Sequence, residues 1–228
     1  NAAASALTTD QRGTGFARLS NTTIDIGAFE FQSAVVSNTA PTAVVLSPSS
    51  ASLAENASTT SATELSTITI TDDANGTNTL SLGGADAARF EIVTGKLFLK
   101  ADVALDHETK SSYSVRVNVD DTTVGSTPDA FVDFTLTITN VNEAPTLANA
   151  IGDQDATEDA AFSLTFAADT FADVDAGDSV TYSATGLPGW LTFTASTRTF
   201  SGTPTNDDVG TVTITVTAKD SANAEVSD

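Results

Sequence analysis

The sequence predicts an all-β protein of two sandwiches in tandem, and three observations carry that prediction. First, a set of acidic clusters occurs twice, about one hundred residues apart. Leu53-Ala54-Glu55-Asn56-Ala57 returns as Ala156-Thr157-Glu158-Asp159-Ala160, and Thr71-Asp72-Asp73 returns as Asp173-Val174-Asp175. Val117-Asn118-Val119-Asp120 returns as Thr217-Ala218-Lys219-Asp220. Second, apolar and polar residues alternate between the clusters, the period of half-buried strands. Third, the only helical candidate is Ala85-Asp86-Ala87-Ala88-Arg89-Phe90, about one turn. A chain of 228 residues holds one large or two ordinary domains. The repeat decides for two, each long enough to bury its own core.

Residues 1–32 stand apart. Arg12-Gly13, Phe16-Ala17-Arg18 and Ile24 to Phe31 give one or two short strands with Gly-rich turns, too little for a core. Asp10-Gln11-Arg12-Gly13 followed by Asp25-Ile26-Gly27-Ala28-Phe29-Glu30 resembles the last coil of bacterial parallel β-helix surface proteins. That resemblance implies a short β-helix-type segment ahead of the sandwiches. Residues 33–42 form a linker that closes at Pro41. Residues 43–143 make the first sandwich. Its clearest short strand is Thr67–Thr71, and its long central pair is Tyr113–Val119 with Phe131–Thr139. β-Branched residues dominate these runs, as a pleated, half-buried surface favours. Short strands at regular spacing with Gly and Asp turns predict an immunoglobulin-like sandwich.

The second sandwich occupies residues 144–228. Trp190 and Leu191 are expected to plug its core, with a turn at Gly202-Thr203-Pro204 and a strand at Thr211–Thr217. The first unit continues past the equivalent point into Phe131–Thr139. The second is therefore expected to lack its last strand and to present an unpaired edge.

Leu53-Ala54-Glu55-Asn56, Leu105-Asp106-His107-Glu108 and Asn140-Val141-Asn142-Glu143-Ala144-Pro145 resemble the three signatures of cadherin repeats, in the right order over about one hundred residues. Asn140 stands where an Asp is usual, and Asp72-Asp73-Ala74 replaces the usual Asp-x-Asp. Residues 144–228 are similar to the dystroglycan-type cadherin-like repeats of bacterial surface proteins. Glu158-Asp159-Ala160-Ala161-Phe162, Phe171-Ala172-Asp173-Val174-Asp175, Leu187-Pro188-Gly189-Trp190-Leu191 and Phe200-Ser201-Gly202-Thr203-Pro204 carry that likeness. The resemblance implies tandem cadherin-like sandwiches joined through Ca²⁺. By position, Glu55, Asp106 and Glu108 are the upstream repeat's ligands. Asn140, Asn142 and Glu143 are the linker's, and Asp173, Asp175 and Asp220 are the next repeat's. Asp72, Asp73 and Asp120 form a weaker upstream site, and Glu158 belongs to a downstream one. The chemistry agrees, because Ca²⁺ takes six to eight oxygen ligands, commonly from several loops. Asp173-Val174-Asp175-Ala176-Gly177-Asp178 is no EF-hand. Such a loop needs Gly at its sixth position and Glu at its twelfth, and these hold Asp178 and Ala184.

Composition narrows the function. Thirty acidic residues oppose nine basic ones for a net charge of −21. That leaves no Lys/Arg stripe for nucleic acid and no attraction to anionic lipid. There is no Cys, hence no disulfide, and no Met, so Asn1 is not expected to be a translation start. No signal peptide or membrane-spanning stretch occurs, and the chain is expected to be a processed piece of a longer extracellular protein. A triad or zinc site would have to use the one histidine, His107. It sits between two ligand candidates and points away from them in an extended segment, so no enzyme is expected. The expectation is a calcium-rigidified structural or adhesive segment of a large bacterial surface or fibre protein, contacting adjacent repeats of its own chain. The alternatives are a cadherin-like module binding polysaccharide or itself, and the non-catalytic tail of a β-helix polysaccharide lyase.

Overall fold

A computed structural model describes residues 37–228, together with a two-residue antiparallel pairing of β1 (Leu19–Ser20) with β2 (Thr23–Ile24). The rest of the expected β-helix segment lies outside the described residues. The first unit contains β3 (Ala43–Ser47), β4 (Ser50–Ala54), β5 (Thr63–Thr71), β6 (Asn78–Gly83), β7 (Phe90–Val93), β8 (Lys96–Leu99), β9 (Ser112–Asp121) and β10 (Ala130–Thr139). They form two four-stranded sheets of order β4-β10-β9-β6 and β3-β5-β8-β7. β10 pairs antiparallel with β9 and parallel with β4, so the first strand of that sheet lies beside the last.

Alternation decides which side chains face inward. Tyr113, Val115, Val117 and Val119 of β9 meet Phe134, Leu136 and Ile138 of β10 in the core. The opposite sheet supplies Val44, Leu46, Leu65, Ile68, Phe90, Leu97 and Leu99. A register shift at Glu64/Ser66 lets Leu65 and Ser66 both turn inward. The Ser66 hydroxyl is satisfied by donating to the Pro48 carbonyl at 2.7 Å. The helical candidate proves to be one 3₁₀ turn, Ala87–Arg89. Just before it, buried Asp86 accepts bonds from Lys110 Nζ (2.5 Å) and the Ser114 N–H (2.8 Å).

The second unit contains β11 (Thr146–Leu147), β12 (Phe162–Thr165), β13 (Phe171–Ala172), β14 (Thr181–Thr185), β15 (Leu191–Thr194), β16 (Thr199–Gly202), β17 (Thr215–Lys219) and β18 (Glu225–Ser227). Sheets of order β12-β16-β15 and β14-β17-β18 enclose an aromatic-rich core, and β11 pairs with β13. Phe193 stacks on Phe200 at 4.6 Å, and Phe166 meets Tyr182 edge-on at 5.4 Å. Trp190 is half-buried against this cluster and meets Phe162 edge-on, rather than filling its centre.

Two strand expectations are corrected here. The strand expected at Thr211–Thr217 begins only at Thr215. A further strand, β18, then pairs with β17, Ala218 opposite Val226. β18 thus occupies the edge beside β17 that the missing strand was expected to leave open. Its cause is a tight reversal at residues 221–224. Asn223 takes φ of 74°, and Asp220 Oδ1 accepts the Ala224 N–H at 2.7 Å. Ala218 opposite Val226 repeats the first unit's pairing of Val119 with Ala130.

Candidate metal centre

Glu55 follows β4, and its N–H extends the ladder to the Thr139 carbonyl at 3.1 Å. Its carboxylate takes the His107 N–H at 2.8 Å on one oxygen and the Val141 N–H at 2.7 Å on the other. One side chain therefore ties together the end of β4, the Asp106–Glu108 loop and the linker after β10. These main-chain donors, His107 first, hold the Glu55 carboxyl below the usual range. Asp106 is likewise lowered, by the N–H and hydroxyl of Thr109. Oxygens of Glu55, Glu108 and Glu143 lie within 4.8 Å of one another.

Glu143 shows what this convergence costs. Desolvation raises its carboxyl first, and the charges of Glu55, Asp175, Glu108 and Asp106 raise it further. Its Oε2 is buried without a hydrogen-bond partner, as is Asp173 Oδ2. Among the described residues, the only ion pair touching these carboxylates is His107 with Glu108 at 3.0 Å. Carboxylates drawn from three segments, partly desolvated and short of cations, suit a hard divalent ion.

The linker is clamped onto the second unit by side chains at the end of that unit. Buried Asp175 accepts Asn140 Nδ2 at 2.6 Å and the Glu143 N–H at 2.9 Å. Buried Asp220, directly after β17, accepts Asn142 Nδ2 at 2.9 Å. Asp173, Asp178 and Asp220 form a second group of converging carboxylates. Asp178 is absent from the expected ligand set. A turn from the Asp178 N–H to the Asp175 carbonyl brings it back, and the Ser221 hydroxyl holds its carboxyl low. Its signal is the Asp173-x-Asp175-x-x-Asp178 spacing.

The same clamp recurs upstream, with different residues than expected. Asn38 Nδ2 donates to Asp121 at 2.9 Å, and the Thr39 N–H donates to Asp73 at 2.9 Å. Asn38 thus repeats Asn142, Asp121 repeats Asp220 and Asp73 repeats Asp175. The expected partner of Asp220 was Asp120. A one-residue shift turns a strand residue to the opposite face, so Asp121, 1% exposed, takes that place. Asp120 pairs in the ladder opposite Thr79, with its Oδ1 buried and unpartnered. Asp72 accepts Asn78 Nδ2 at 2.6 Å and leaves Oδ1 buried without a partner. The missed signal is the repeated Asn-x-Ala-Pro of Asn38-Thr39-Ala40-Pro41 and Asn142-Glu143-Ala144-Pro145. Glu158 is exposed and joins neither carboxylate group.

A family model described as "Putative Ig domain" matches residues 144–228. No curated protein sequence matches the chain. Among solved structures, Drosophila N-cadherin EC1-4 aligns with TM-score 0.58 and 21% identity, covering 81% of this chain and 47% of that one. Mouse Cadherin-23 EC22-24 aligns with TM-score 0.57 and 19% identity over 82% of this chain and 62% of its own. Human mucin-like protocadherin EC1-2 aligns at 0.54 and 15%, over 81% and 94%. The chain spans about half the length of the first structures it resembles. At these identities the likeness is one of fold, and the described chain carries an all-β, cadherin-like architecture.

Proposed function

We propose that this chain is a calcium-rigidified structural or adhesive segment of a large extracellular protein, a bacterial surface or fibre protein in particular. The observation that carries this reading is Glu143. Its carboxylate, on the linker, converges with Glu55 and Glu108 of the first unit, and its backbone N–H is held by Asp175 of the second. A cation there ties three segments at one point and removes the repulsion that raises Glu143. Glu55, Asp106, Glu108 and Glu143 would hold one ion. Asp173, Asp175, Asp178 and Asp220, with the Asn140 and Asn142 amide oxygens turned inward, would hold another. Asn38, Asp72, Asp73 and Asp121 would hold an upstream ion. Glu158 would serve a following repeat. The role is non-catalytic: His107, the one histidine, bonds to Glu108, and among the described residues no nucleophile is hydrogen-bonded to its ring. Among the described residues no helix is long and apolar enough to cross a membrane.

Calorimetric titration of EDTA-stripped protein tests the reading. At least two Ca²⁺ should bind at the joint between the units, with oxygen ligands at about 2.3–2.6 Å in a crystal grown in calcium. Absence of binding heat, together with a metal-free joint in that crystal, would reject it.

A further inference from the structure

Asn75-Gly76 is the one Asn-Gly dipeptide in the chain. It lies in the loop between β5 and β6, outside the strand ladders. That loop reverses through two residues of positive φ, Ala74 at 64° and Gly76 at 74°. The Asn75 N–H donates to Asp73 Oδ1 at 2.8 Å, yet its side-chain Nδ2 is buried with no well-formed hydrogen bond among the described residues. Among the described residues the amide's contact is with Asp73, short of a well-formed hydrogen bond, and glycine puts no side chain beside the main-chain nitrogen that must attack it.

We propose that Asn75 is a self-modifying site that adds a carboxylate to the upstream joint as the protein ages. The Gly76 nitrogen attacks Asn75 Cγ and loses its proton. The bond from Cγ to Nδ2 breaks, and ammonia leaves a five-membered succinimide. Water then opens the ring at either carbonyl, giving aspartate or isoaspartate. No oxidant or reductant is consumed.

Position gives the change its consequence, which rests on the calcium reading above. Asp73 and Asp175 hold their linkers in the same way. Three residues past Asp175 stands Asp178, one of the converging carboxylates. The upstream loop has only Ala74-Asn75-Gly76-Thr77-Asn78 after Asp73 and no such carboxylate. Aspartate at 75 supplies one within the same loop. Isoaspartate supplies one too, but lengthens the main chain at Gly76. That glycine packs so closely on Asp121 and Asn38 that even a Cβ would overlap them. The aspartate form should tighten the upstream joint, and the isoaspartate form should loosen its clamp.

The test ages the whole chain at 37 °C in mildly alkaline buffer and maps amide-to-acid conversion by peptide mass spectrometry, with isoaspartyl methyltransferase reading the second product. Conversion should occur at Asn75 ahead of every other asparagine and be absent in Asn75→Gln. Calcium titration of Asn75→Asp should show upstream binding about tenfold tighter, since affinity follows the count of charged ligands. Asn75 staying intact while a peptide of residues 71–80 converts would overturn the modification. Equal calcium affinity of Asn75→Asp and the parent would overturn its effect on the joint. A parent that binds no calcium at all would reject the calcium reading, and with it the proposed effect on the joint. The mass-spectrometric result on Asn75 would be unaffected.

Discussion

Asp86 shows how one buried charge is kept at low cost. Burial pushes its carboxyl up, but the Lys110 ammonium and the Ser114 N–H outweigh that, and the net shift is downward. Lys110 is 40% exposed, so it returns to water when its partner is removed. Asp86→Ala should therefore cost about 1–2 kcal/mol, less than the roughly 3–5 kcal/mol of breaking a fully buried pair. The pH dependence follows from the sign of the shift. A lowered carboxyl contributes stability that is present above the unfolded-state value and is lost as pH falls through the folded one. Denaturant melts of wild type and Asp86→Asn should stay separated at neutral pH and converge only below about pH 4. A gap that closes already near neutral pH would contradict this account of Asp86. The linker clamps make a second residue-scale prediction. Asp121→Ala should loosen the Asn38 linker, and Asp220→Ala the Asn142 linker, since each removes the carboxylate acceptor of an Asn side chain. Hydrogen exchange read at residues 37–42 and 140–145 should rise in the matching variant only.

At the scale of elements, β9 and β10 do most to hold the first unit together. Both lie inside their sheet, and every second side chain on them is buried or, at Ala130 and Val132, half-buried. Leu136→Ala should cost about 2–5 kcal/mol, the range for deleting a packed core side chain. Phe131→Ala on the same strand should cost under about 1 kcal/mol, because that ring is 54% exposed and its contact is the Arg116 guanidinium at 4.0 Å. Urea melts of the two variants check the contrast. These strands were readable in the sequence because their period of two runs unbroken from Tyr113 to Val119 and from Val132 to Thr139. The start of β5 was not readable. Its bulge puts Leu65 and Ser66 on the same side, which destroys the alternation there. β18 was hidden for a different reason. Its three residues are too few to show a period, and its turn depends on Asp220 bonding back to Ala224. Of the converging carboxylates at the joint between the units, Glu55, Glu108, Glu143, Asp173 and Asp220 stand in an ordered set along the chain, whereas Asp178 lay outside it. Asp121 was not distinguishable from Asp120, because both follow Val119 and only the strand's facing separates them.

The whole molecule carries a net charge of −21, and its joints gather that charge where two units must meet. Self-repulsion of this kind weakens a compact state and is relieved by bound cations. An ion held only by the folded state also adds stability by mass action, about 2.7 kcal/mol at a hundredfold excess over its dissociation constant. Two separable effects of chelation follow. The melting temperature should fall, through loss of the bound ligand. The scattering profile should broaden toward a flexible pair of sandwiches, because without the cation the linker is held by neutral donors alone: the Asn140 and Asn142 amides and the main-chain N–H groups of Val141 and Glu143. Those bonds need no metal, so the linker should stay docked part of the time, and chelation should widen the range of interdomain distances rather than abolish contact. Glu143→Gln separates charge from geometry. It removes the raised carboxyl while keeping the main-chain N–H that bonds Asp175. In EDTA this variant should be at least as rigid as wild type, since the repulsion is gone. In calcium it should be the looser of the two, since a ligand is gone. Small-angle scattering of both proteins in both buffers gives the four values needed. A variant that tracks wild type in both conditions would mean that Glu143 neither repels its neighbours nor binds the ion.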